Sequence, residues 1–159
     1  VGAHPSGAIG EDPLGTPNNL FPFITQVAVG RRPVVSVFGG DWPTQDGTGV
    51  RDYIHVMDLA EGHRAALEHL LTQGDTLLTL NLGSGQGHSV LEVLRCFETA
   101  CGRSIPHQIV AKRPGDTAIT VADPSRAQQV LGWRTQRSLR QICEDGWAWQ
   151  RANPQGYRP

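Results

Sequence analysis

The chain has 159 residues, 38% of them hydrophobic and 18% charged, enough for one domain with a buried core. Its net charge is −1, from 14 Lys+Arg against 15 Asp+Glu, which gives no reason to expect nucleic acid or an acidic membrane as a partner. No apolar run approaches the roughly 20 residues of a membrane span, and no signal peptide is visible.

The chain opens on Val1, and VGAHPSG reads as the interior of a loop, so a piece of a longer polypeptide is expected. Residues 1–18 keep loop chemistry, with His4-Pro5-Ser6-Gly7, Asp12-Pro13 and Thr16-Pro17-Asn18. Asn18-Asn19 then precede an apolar-periodic segment from Leu20 to Val29 that Gly30 stops, a helix with Pro22 in its first turn. Val34–Phe38 is a short β-type run between Pro33 and Gly39-Gly40, followed by a Gly/Asp/Thr-rich loop over 39–50. Tyr53–Val56 reads as a strand. Asp58 is then placed to cap a helix carrying Leu59, Ala66, Leu67 and Leu70.

Leu77–Leu82 reads as a further strand, ending in the turn Gly83-Ser84-Gly85-Gln86-Gly87. Ser89 and Glu92 have capping-box spacing at the head of a helix with Val90, Leu94, Phe97 and Cys101 on one face, closed by Gly102. His107–Ala111 reads as a strand. Asp123-Pro124 starts a short helix that ends at Gly132, and a last helix runs from Ser138 to about Ala152. Strands alternating with helices predict an α/β arrangement.

Few motifs carry chemistry by themselves. NLGSGQG sits before a helix, but Gly85 is followed three positions later by His88 instead of glycine, so a tight turn is expected and not a dinucleotide loop. His55 and His63 flank Asp58, yet no dense His/Cys/Asp cluster completes a metal site. Cys96, Cys101 and Cys143 form an odd set without CxxC and read as buried free thiols in a reducing cytoplasm. The tandem Arg31-Arg32 reads as solvated surface. Arg51 and the RPGD turn, Arg113 to Asp116, both fall at loop–strand boundaries. Two arginines so placed make surface ion pairs, or they grip a diphosphate with their planar forks of donors.

Taken together, the segments VGAHPSGAIGEDPLGTPNNLFPFITQVAVGRRP, VFGGDWPTQDGTGVRDYIHVMDLAEGH, NLGSGQGHSVLEV, RPGDTAITVADPSRAQQVLGW and WAWQRANPQGY closely resemble the C-terminal half of the UDP-glucose 4-epimerases, also called UDP-galactose 4-epimerases. That family belongs to the extended short-chain dehydrogenases. The resemblance implies a small mixed sheet plus helices over residues 1–159, the substrate-binding part of the fold, with the N-terminal Rossmann domain largely absent. It implies an isomerase of galactose metabolism in the cytoplasm. In that family a bound NAD takes a hydride from C4 of the sugar and returns it to the other face. A Tyr-x-x-x-Lys pair moves the proton. These 159 residues hold neither that pair nor the NAD loop, and their one lysine is Lys112. No catalytic, cofactor-binding or metal-binding residue is therefore expected in this chain, which alone should be inactive.

The resemblance also implies a set of substrate contacts. Asn19 and Leu20 meet the nucleotide-sugar, Val37 and Phe38 line the uracil, Arg51 and Arg113 hold the diphosphate, and Asp116 takes the ribose hydroxyls. Thr120 stands where a tyrosine would favour plain hexoses, so tolerance of UDP-N-acetylhexosamines beside UDP-glucose and UDP-galactose is expected. Full-length members often form homodimers. A stand-alone UDP-sugar-binding module is the main alternative. A UDP-uronate epimerase or a nucleotide-sugar dehydratase is a further one, against which VGAHPSG…PNNL counts.

Overall fold

A computed structural model describes residues 1–73 and 77–157. The leading loop ends at Asn19, where α1 (Leu20–Ala28) begins, and Pro22 sits in its first turn, where no helical N–H is needed. Asn19 occupies the cap position, but its side chain makes no cap bond; its Nδ2 donates to Glu11 Oε1 at 3.2 Å. β1 (Val35–Phe38) follows. Later in the chain β4 (His107–Val110) pairs with it in parallel, Phe38 opposite Val110, as a two-stranded sheet.

The second sheet is centred on β2 (Val50–Asp52) and differs from the sequence expectation. The strand lies at 50–52 instead of 53–56, and Val56 already opens α2 (Val56–Gln73). Partners decide this. β3 (Gly87–Ser89) pairs antiparallel with β2, and β5 (Ile119–Thr120) pairs parallel on its other side. The β-branched and aromatic residues 53–56 have only propensity, which counts for little without a ladder. Asp58 is likewise not the cap. It lies in the first turn of α2, while His55 Nδ1 accepts the Met57 N–H at 3.0 Å.

Residues 77–82 form no strand; Leu77 is 95% exposed, and no strand among the described residues pairs with them. α3 (Val90–Cys101) starts where Ser89 Oγ accepts the Glu92 N–H at 3.1 Å, and Gly102 ends it in the left-handed region at φ 68°. α4 (Ser125–Leu131) begins after Pro124, with Asp123 Oδ1 accepting the Ser125 N–H. α5 (Leu139–Ala152) opens on a reciprocal Ser138–Gln141 capping box.

One core joins α1, β1, α3 and α5. Ile24, Val37, Leu94, Phe97 and Ile142 are all buried in it, and Phe97 meets Trp147 edge-on with centroids 6.3 Å apart. Cys143 is buried there too, but Cys96 and Cys101 are only half-buried, because they sit at the rim of the α3–α5 contact. Burial drives the Cys143 thiol strongly up, which keeps it an inert SH.

Candidate functional site

β1 and β4 run parallel, so both chains leave the sheet in the same direction. Phe38 stands at the end of β1, and the RPGD turn follows the end of β4. β2 brings Arg51 to the same place, and the N-terminal end of α1 closes the side. Together they enclose a cleft of about 460 Å³. Asn19, Leu20, Val37, Phe38, Arg51, Arg113 and Asp116 all line it. Thr120 is not among the lining residues. It is paired with Arg51 in the sheet register, and its hydroxyl bonds Thr117 Oγ1 at 2.8 Å.

The charged groups of the cleft converge on one carboxylate. Arg113 Nε and Nη2 donate to Asp116 Oδ2 and Oδ1 at 2.9 and 3.3 Å, while Arg51 Nη2 lies 4.0 Å from Oδ1. Arg51 Nη1 also donates to its neighbour's carbonyl, Val50 O, at 2.8 Å, which turns the guanidinium back along the strand. Two fixed cations share one anion, so a net positive charge remains at the mouth. The N-terminal end of α1, with Asn19 and Leu20 in the lining, borders the same region, and a helix N-terminus favours an anion.

Sequence reasoning missed several lining residues, among them Thr16, Phe23, Trp42, Tyr53 and Val90. Tyr53 was placed in a strand, and Trp42 lay hidden in the Gly-rich loop; an aromatic in such a loop was the available signal. The loop is held by Asp46, which accepts the Thr48 N–H at 3.0 Å and both the Thr48 and Ser89 hydroxyls. Burial works against the Asp46 charge, but these bonds hold its carboxyl below the usual range. Gly47, at φ 79°, is required in this loop, because a Cβ there would strike Gly40 O. Tyr53 packs on Phe21 at 5.5 Å, and burial pushes its phenol up to about 12, partly opposed by Arg51. It therefore stays protonated and supplies no base. A cleft of this kind can hold an anion with an apolar or planar body.

The other sequence candidates fall elsewhere. His55 is fully buried and lies outside the sheet, with Nε2 donating to Asp145 Oδ2 at 3.1 Å. His63 Nδ1 donates to Leu59 O at 2.8 Å. Asp58 accepts from the Gln136 and Arg137 N–H groups and the Arg137 guanidinium. Among the described residues, no group of three His, Cys, Asp or Glu is placed to hold a metal. The NLGSGQG turn aims its N–H groups inward: Asp52 accepts the Ser84 and Gly85 N–H groups at 3.0 and 2.9 Å, where a dinucleotide loop would offer them to phosphate. Arg31 faces Asp12 at 3.9 Å, but Arg32 is half-buried and lies over the Phe23 ring, because Gln26 takes its Nε–H. No helix among the described residues is long and apolar enough to cross a membrane.

Residues 4–146 match the family model described as GDP-mannose 4,6 dehydratase. Among curated proteins, the UDP-glucose 4-epimerase of Bacillus subtilis is 55% identical over 99% of this chain and 46% of its own length. The structure of the Stenotrophomonas maltophila UDP-glucose 4-epimerase, with bound NAD and formylated UDP-arabinopyranose, superposes with a TM-score of 0.93 at 55% identity; the match covers 97% of this chain and 46% of that one. The Bifidobacterium longum enzyme, in complex with NAD+ and UDP, gives 0.93 at 48% identity over 99% and 46%. The chain thus spans about half the length of the relatives it matches and has the fold of their C-terminal portion.

Proposed function

The chain belongs to the family described as GDP-mannose 4,6 dehydratase, and on that premise we propose that it is the UDP-hexose-binding half of an NAD-dependent UDP-glucose/UDP-galactose 4-epimerase. One observation carries the reading: two arginines from separate elements, Arg51 and Arg113, converge on Asp116 at the mouth of a cleft that also takes in the head of α1. A diphosphate offers more acceptor oxygens than Asp116 and replaces it as their partner. Freed, the carboxylate accepts the ribose hydroxyls. Asn19 gives up Glu11 and donates to phosphate beside the α1 N–H groups. Val37 and Phe38 bound the nucleoside side.

NAD is held outside these 159 residues, as is the proton-transfer pair, so the isolated chain binds and does not turn over. Relatives solved with NAD and a UDP compound support this assignment for the longer protein. Thr120, beside Arg51 in the register, is small enough to leave room for UDP-N-acetylhexosamines. A cytoplasmic homodimer of the longer enzyme, acting in galactose metabolism, completes the reading.

Calorimetric titration of the folded chain with UDP tests it. Saturable binding is expected. Arg51→Ala and Arg113→Ala should each weaken it about tenfold or more, the weight of a charge-assisted hydrogen bond. No binding to a chain whose circular dichroism shows native helix overturns the proposal. Turnover of UDP-galactose by the purified 159-residue chain overturns the inactive-half part alone.

A further inference from the structure

We infer that Tyr157, beyond the last helix, is a positioning residue for the nucleotide cleft, a part that rests on the nucleotide reading above. It pins Gly10 and Asp12, so that Glu11 between them holds the Asn19 amide at the cleft edge where phosphate is met.

Asn19 lines the cleft at the head of α1, yet its side chain makes no cap bond. Left alone, a short amide turns about its two side-chain torsions. Glu11, eight residues back, holds it instead: Oε1 accepts the Asn19 Nδ2–H at 3.2 Å. A phosphate that replaces Glu11 therefore meets an amide already at the cleft edge, and less freedom is lost on binding.

Glu11 in turn needs a fixed backbone, and residues 1–18 hold neither helix nor strand to supply one. The far end of the chain does so. Tyr157 Oη accepts the Gly10 N–H at 2.8 Å and donates to Gly10 O at 3.1 Å, while Asp12 Oδ2 accepts the Tyr157 N–H at 3.0 Å. All three bonds fall on the two neighbours of Glu11. Buried Trp149 backs them. Its ring lies 5.4 Å from that of Tyr157, and so close to Gly10 that a Cβ there would strike it. Asp12 also faces Arg31, just past α1, at 3.9 Å.

The strap made by residues 153–157 is itself anchored. Buried Gln150 on α5 accepts the Thr25 hydroxyl of α1 at 2.8 Å and donates through Nε2 to Asn153 O at 2.8 Å. Tyr157 is 56% exposed and stands outside the apolar core, so its hydroxyl fixes the loop and not the packing.

NMR titrations of the whole chain with UDP and with uridine would use wild type, Tyr157→Phe, Asn19→Ala and the Tyr157→Phe/Asn19→Ala pair. Tyr157→Phe keeps the ring on Trp149 and removes only the two bonds to Gly10. It should weaken UDP about fivefold, the weight of a neutral hydrogen bond, and change uridine, which has no phosphate, by less than about twofold. In the Asn19→Ala background it should add no further loss, because a residue that acts through another loses its effect with it. Before any ligand is added, the Asn19 side-chain amide resonances, assigned by their loss in Asn19→Ala, should shift in Tyr157→Phe. Equal losses for UDP and uridine, or a full Tyr157→Phe loss without Asn19, overturn this inference and leave the nucleotide reading standing. Unchanged UDP affinity or unmoved Asn19 resonances in Tyr157→Phe do the same. A folded wild-type chain that binds no UDP overturns both.

Discussion

Helices α1 and α5 bury seven and six residues, while α2, at 18 residues longer than either, buries only Asp58 and Gly62. The two sides of the molecule are therefore held by different means. Around α1, α3 and α5, apolar side chains interlock. On the α2 side, one carboxylate collects the Gln136 and Arg137 N–H groups and the Arg137 guanidinium, and Trp133 Nε1 donates to Asp58 O at 3.1 Å. Leu67, Leu71 and Leu77 meanwhile stand 58%, 77% and 95% exposed. A long amphipathic helix can be ordered with little of its own surface covered, provided one polar clamp near its start is complete. The cleft borders the packed side, where Val35 and Val37 belong both to its lining and to the core.

That contrast can be broken by mutation. The largest effect is expected at Phe97, at the centre of the packed side: Phe97→Ala should cost about 3–5 kcal/mol in urea unfolding, since the cavity cannot close among such neighbours. A cost under about 1 kcal/mol would sink the idea that this side is the stable one. Arg137→Ala should come next, at about 3 kcal/mol, because it leaves the buried Asp58 carboxylate without its cation. Its size measures how far α2 depends on the clamp. Arg137→Lys keeps the charge and should recover part of the loss.

His55 joins the two sides through Asp145 on α5, and burial lowers its pKa below the ordinary 6.5, although Asp145 pulls the other way. The unfolded chain then takes up the proton more readily than the folded one. Stability is fully present above about pH 6.5 and declines as the pH falls through the interval below it. Melting temperatures from pH 8 to 5 should drop in the wild type and drop less in His55→Gln. An identical profile in both would remove His55 from the account. The smallest effect belongs to Leu71→Lys, within about 0.5 kcal/mol of wild type, because the side chain is already in water. The same variant should reduce self-association in light scattering.

Much of the helical frame was readable beforehand. Asn19 before Leu20, the Ser89/Glu92 spacing and the Gly102 and Gly132 stops mark helix ends through local chemistry, and local chemistry is present in the sequence. The strands were less readable. Residues 53–56 and 77–82 have strand-like composition, yet neither meets a ladder, while Gly87–Ser89 has poor strand composition and pairs with β2. Seven of the eight residues singled out for nucleotide-sugar binding meet in one cleft, but Tyr53 and Trp42 entered it unannounced.

The sequence by itself determined the helix boundaries except the start of α2, the loop-rich start, the resemblance to the epimerases and the pair of arginines at loop–strand junctions. Each depends on residues near one another in the chain, or on a pattern of identities. Only the tertiary structure decided what those arginines face. Arg51 and Arg113 are 62 positions apart, and their meeting over Asp116 requires β1–β4 and β2–β5 pairing at the same time. Strand pairing is a property of two segments and the space between them. Composition within either one cannot encode it, so the cleft and the polar clamp on α2 came from the fold.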